Sequence, residues 1–149
     1  SPRFFENYLL PLHNKFSRLA HAAGKITACH MDGRLRNLKS FIAKSEIDVI
    51  HAITPPPMGN LPINEALSGL KDKILWVNFD NSQYVMGPDA VKKSLLNLLR
   101  SIMPGDRVII DASTERWVPP DCLWMFAKIM SNATLPLTEE KIVKIEKSL

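Results

Sequence analysis

The chain has 149 residues, of which 46% are hydrophobic, 23% charged and 7% aromatic. That supplies a core for one globular domain, or for a piece of a larger one, and excludes a disordered or collagen-like chain. The net charge of +4 comes from 19 Lys and Arg against 15 Asp and Glu; it is spread along helical faces rather than gathered in a basic tract, so no nucleic-acid partner is expected.

In chain order, Ser1 and Pro2 offer a cap and a first helical position, and Phe5, Leu9, Leu12, Phe16 and Leu19 recur at three or four residues. This predicts an amphipathic helix ending at Gly24. A first apolar strand is expected from Ile26 to Met31, then a helix over about 34–44. A strand from Asp48 to Thr54 and a helix over about 62–69 follow. Next come a strand from Lys73 to Asp80, a helix over about 88–103 and a strand from Arg107 to Ser113. Helices over about 120–131 and 138–148 close the chain, the last opening on Thr138, Glu139 and Glu140, a cap and an acidic first turn. The four strands are short, rich in β-branched residues and nearly all apolar, which predicts parallel βα units with the strands covered on both faces. Strand starts about 22, 25 and 34 residues apart suit barrel or doubly wound α/β units. Four strands are half of the eight that a closed barrel needs. Residues 1–149 therefore read as one α/β domain, and the start at Ser1 rather than Met makes a fragment one of the readings.

No stretch approaches the roughly 20 apolar residues that span a bilayer, and no basic-then-apolar leader is present, so neither a membrane nor export is expected. Cys29 and Cys122 form no CxxC pair, which points to a reducing, cytoplasmic setting. Neither G-x-G-x-x-G nor G-x-x-x-x-G-K-[ST] occurs, so the glycine loops that cradle phosphates are absent.

Sites in parallel α/β folds gather at the C-terminal ends of strands. Those ends read Cys29-His30-Met31-Asp32-Gly33, Thr54-Pro55-Pro56-Pro57-Met58-Gly59-Asn60, Asn78-Phe79-Asp80-Asn81 and Asp111-Ala112-Ser113-Thr114-Glu115. In an extended chain His30 and Asp32 point the same way, as two metal ligands must, and Glu115 or Asp111 offers a third. A structural His–Asp hydrogen bond at a loop is the plainer reading of the same pair. Asn60, Asp80 and Asp111 are candidate substrate contacts, with Asn60 alternatively a helix cap. His51, flanked by Ile50, Ala52 and Ile53, reads as a satisfied buried histidine rather than a catalytic one. His13 and His21 carry no assigned role. Cys29 and His30 face opposite ways, which argues against a Cys–His nucleophile, and Cys122 reads as a small core residue. The three consecutive prolines stiffen a loop that could form a lip over the site. Trp76, Trp117 and Trp124 read as core, with Trp117 the best placed to touch a ligand.

Taken in order, these segments resemble the uroporphyrinogen decarboxylase-like superfamily, and within it the cobalamin-dependent methyltransferase branch. The resemblance rests on Ser1, Pro2, Phe5, Tyr8, Leu10 and Pro11 in the opening, and on His30-Met31-Asp32-Gly33 where the methyltransferases have H-x-C-G. It continues through Pro57-Met58-Gly59-Asn60-Leu61-Pro62 with Glu65-Ala66, the strand Ile74 to Asp80, Ser113-Thr114-Glu115 and Val118-Pro119-Pro120. It implies the C-terminal half of a TIM (β/α)8 barrel and a barrel-mouth zinc that serves methyl transfer with a corrinoid carried by a partner protein. By position His30 matches the family's histidine and Asp32 replaces its cysteine. No cysteine stands at the later ligand position, where Glu115, or Asp111, lies nearby. An N/O donor set is harder than a thiolate one and suits an oxygen donor or a water-derived hydroxide. The resemblance therefore implies a metal-dependent methyltransferase acting on a small methylated compound such as a methoxy compound, with the isolated chain inactive. The alternatives are a tetrapyrrole decarboxylase of the uroporphyrinogen type, whose late G-H-G-I motif is not found here, and a non-catalytic half-barrel module that self-associates.

Overall fold

The computed structural model describes residues 1–114 and 117–149. Helix forms from the first residues, because the Ser1 side chain accepts a hydrogen bond from the Phe4 N–H and Pro2 sits where its missing N–H leaves no bond unmade. Three pieces run on from one another: helix α1 (Pro2–Phe4), a π-helical stretch (Phe5–Leu9) and helix α2 (Leu10–Ala22). Gly24, at φ +69°, ends the run in the left-handed geometry that glycine adopts without a Cβ clash.

The chain divides into two compact units, Ser1–Asn78 and Phe79–Leu149, where the sequence reads as one domain. In the first, strands β1 (Ala28–His30), β2 (Val49–Ile53) and β3 (Ile74–Asn78) pair in chain order, each parallel to the next. A 3-10 turn (Arg36–Leu38) leading into helix α3 (Lys39–Ala43), and helix α4 (Ile63–Gly69), provide the crossovers. Cys29 pairs with Ile50 and Ile50 with Leu75; His30 pairs with His51 and His51 with Trp76. Side chains alternate across a strand, so Cys29, Ile50 and Leu75 share one face of the sheet and His30, His51 and Trp76 the other.

The two faces differ. On the first, Ile50, Leu75 and Val77 are fully buried, together with Ile42 of α3 and Ala66 of α4. On the second, Val49 is buried, but Ala28, His30 and Ile74 are exposed and His51 and Trp76 half-buried. The expectation of strands covered on both faces is thus corrected for this unit: the crossover helices pack on one face only.

Ala52 adds a bulge. Its φ is +67°, and the pairing passes from His51 opposite Trp76 to Ile53 opposite Val77, leaving Ala52 as the extra residue. Plain alternation would put Ile53 beside His51 on the open face. The bulge reverses the phase, and Ile53 is fully buried.

Helix α2 reverses another expectation. Its apolar positions Leu12, Phe16 and Leu19 are 45%, 61% and 62% exposed, while Ser17 is fully buried. The helix is held by its polar side: Ser17 Oγ lies 3.2 Å from Thr27 Oγ1, His21 Nε2 2.8 Å from Asp48 Oδ2, and Asn14 Oδ1 accepts from the Glu46 N–H at 2.9 Å. Arg18 completes the set with a two-pronged pair on Glu46.

The second unit holds helices α5 (Ser82–Val85), α6 (Pro88–Ser101), α7 (Pro120–Asn132) and α8 (Glu139–Lys147) around strand β4 (Val108–Asp111). The Phe79 N–H donates to the Asp111 carbonyl at 2.9 Å. Helix α6 turns Val91, Leu95 and Leu99 inward at every fourth residue, and Ile129, Ile142 and Ile145 are buried with them. Thr138 caps α8 by accepting from the Lys141 N–H, as the sequence predicts, and Arg100 bridges Glu139 and Glu146 across the turns of that helix. Strands and helices alternate along the chain as in parallel βα units, so the α/β class is established. Among the described residues no helix is long and apolar enough to cross a membrane.

Candidate functional site

His30 is the last residue of β1 and lies directly opposite His51 on the open face. The two Nδ1 atoms are 3.0 Å apart and the ring centroids 4.9 Å apart, with the planes at 64°. An imidazole nitrogen either donates or accepts, so this contact holds one proton between two nitrogens. The His51 ring meets Trp76 edge to face, with centroids 4.6 Å apart. Three adjacent strands thus place imidazole, imidazole and indole in one row. His51 is satisfied, as the sequence reading has it, but half-buried rather than enclosed.

Asp32 is exposed, two residues beyond His30 in the turn after β1. Glu115 lies outside the described residues. Among the described residues no group of three or more His, Cys, Asp or Glu side chains could hold a metal; on the open sheet face the two imidazoles are a close pair of donors.

The other predicted contacts have structural partners. Asn60 Oδ1 accepts from the Arg36 N–H at 3.1 Å, tying the proline loop to the turn before α3, while the N-cap of α4 is Pro62. The loop itself folds tightly, with the Gly59 N–H donating to the Pro55 carbonyl. Below it, Glu65 accepts from Arg36 and from Lys39, both at 2.7 Å. These hydrogen bonds, Arg36 first, hold its carboxyl down to about 2.

In the second unit Asp80 accepts from the Ser82 N–H at 2.9 Å and from Gln83 Nε2 at 3.0 Å, which anchors the first turn of α5. Burial works to raise its pKa, but the bonds from Ser82 and Gln83 outweigh that and hold it below the ordinary value. Asp111 Oδ1 accepts from the Ser113 N–H at 2.6 Å, in a turn where Ser113 has φ +52°. Tyr84 is buried beside them and donates to the Ala112 carbonyl at 2.6 Å; burial first, then the Asp111 charge, push its phenol far up.

The two cysteines differ. Cys122 is fully buried, with its Sγ 3.4 Å from the Tyr84 carbonyl, a core residue as expected. Cys29 is half-buried, and its neighbour is His13 of α2 rather than the His30 ring: Sγ and Nε2 are 3.9 Å apart. His13 Nδ1 is buried without a partner among the described residues. Burial pushes the Cys29 thiol up and the His13 imidazolium down, so the pair is held neutral and is a poor nucleophile. Sequence reasoning assigned His13 nothing, because only the docking of α2 against β1 brings it there.

The tryptophans also separate. Trp76 supports the histidine row, whereas Trp117 and Trp124 are 81% and 75% exposed, which corrects their reading as core. In α7 the inward positions are Cys122, Phe126 and Ile129, and Trp124, two residues from the first two, falls on the outer side. No protein-family model, curated protein or solved structure matches the chain.

Proposed function

We propose that the chain is the C-terminal half of a uroporphyrinogen decarboxylase-like TIM barrel whose intact protein is a metal-dependent methyltransferase. Its substrate is a small methylated compound and its methyl group passes to or from a corrinoid carried by a partner protein. Three observations support the reading: the order of the motifs, the parallel βα units, and above all an imidazole pair on an open sheet face at the end of β1. The proposed metal is zinc, with His30, Asp32 and Glu115 as ligands. Bound there it would supply Lewis acidity toward an oxygen donor. The chain's own part is to present His30 from a paired strand, with Asp32 beside it, and to close the proline loop onto Arg36 through Asn60.

Metal content tests this. After dialysis against a weak chelator, mass spectrometry should find about one zinc per chain, lost in the His30→Ala, Asp32→Ala variant. A metal-free wild-type chain would sink the reading.

A second reading, a non-catalytic module that self-associates, is favoured by α2. A helix docked by its polar side with Leu12, Phe16 and Leu19 outward presents an apolar stripe that water disfavours. A second copy of the chain is the occupant we propose for it.

A further inference from the structure

The row His30, His51 and Trp76 contains one residue that no motif nominated. His51 stands in the middle of β2, opposite His30, with its Nδ1 at 3.0 Å from the Nδ1 of His30. Two nitrogens each about 2.0–2.1 Å from one metal ion stand about 2.9 Å apart at a right angle and about 3.4 Å apart at the tetrahedral angle. The observed spacing falls within that span.

We propose that His51 is a metal ligand alongside His30, the two Nδ1 atoms taking neighbouring positions on a single zinc-like ion. The inference rests on the metal-site reading above and adds to it a donor from a second strand. The ion replaces the one proton that the two nitrogens otherwise share, the lone pairs turning to meet beside the line that joins them. His30 is exposed, while the Trp76 ring packs edge to face with the ring of His51. The Ala52 bulge contributes by sending Ile53 to the packed face, so that no bulky neighbour follows His51 on its own face. Two imidazole donors favour zinc, cobalt, nickel or copper over magnesium or calcium.

The test uses the whole chain freed of metal and titrated with Co2+ and Zn2+. Co2+ binding is followed by its visible absorption, and Zn2+ binding by long-range 1H–15N spectra of the histidine rings. The expected result is one ion per chain, with the Nδ1 resonances of both His30 and His51 displaced. His51→Ala and His30→Ala should each weaken binding by more than the roughly 10–100-fold that an outer-shell change costs. His21→Ala, whose ring is engaged with Asp48, should leave affinity unchanged. The wild-type spectra read ligation directly, so the outcome does not depend on a variant folding. Displacement of His30 alone, with full affinity retained in His51→Ala, overturns the role of His51 and keeps a His30-centred site. Failure of the wild type to bind either ion stoichiometrically overturns both.

Discussion

At the scale of single residues, several carboxylates near the strand ends and in the crossover helices serve the fold through hydrogen bonds. Glu65, in the first turn of α4, is the clearest. Its folded pKa of about 2 lies below the ordinary 4.5, so the unfolded chain takes up a proton first as pH falls. The stabilisation from Arg36 and Lys39 is therefore whole above about pH 4.5 and is lost as pH falls toward about 2. Urea midpoints measured across that window should fall for the wild type and fall less steeply for Glu65→Gln. Asp80 anchors α5 in the manner of a helix cap, and Asp80→Ala should lower stability by about 0.5–2 kcal/mol, the usual cost of a lost cap. An unchanged midpoint would mean that Asp80 does not anchor the helix. The residue-level reading found His30 from its place at a strand end, but His51 acquires its neighbour through cross-strand register, which no local pattern carries.

At the scale of elements, the helices from Pro88, Pro120 and Thr138 were legible because proline at the first position and a threonine cap act locally. The four-residue α5 was not, being shorter than the period that reveals a helix, and the segment after Gly33 forms a 3-10 turn before α3 where a continuous helix was expected. Strand positions were found, though each is shorter than its apolar run, since only the hydrogen-bonded middle forms the ladder. The proline loop offers a sharp test. A Cβ on Gly59 would collide with the Thr54 carbonyl oxygen, a backbone atom that cannot swing aside. Gly59→Ala should cost about 1–3 kcal/mol, as overpacking does, and thermal unfolding would read it as a lowered midpoint. Retention of the wild-type midpoint would mean that the loop closes differently.

At the scale of the molecule, composition correctly foretold a chain with a core, and the alternation of strand and helix foretold the α/β class. What it could not foretell is which apolar surfaces the chain covers for itself, because hydrophobicity records the wish for a partner without identifying one. Helix α2 and the open sheet face are the two places where that matters. Sedimentation velocity over a wide concentration range should show self-association, and Phe16→Glu with Leu19→Lys should suppress it while leaving the Asp48 and Glu46 anchors of the helix intact. A chain that stays monomeric throughout would rule the assembly reading out.

The Ala52 bulge gives β2 two grammars. Up to His51 the strand is read in one phase, odd positions on the same sheet face as His51; beyond it the same parity falls on the packed face. Deleting this one alanine would therefore act like a frameshift written in side chains, turning Ile53 out and Thr54 in although no other letter had changed. Variation on either side of the bulge should accordingly obey opposite rules: the half-buried His51 before it can give way to another polar residue, and Ile53 after it must stay aliphatic.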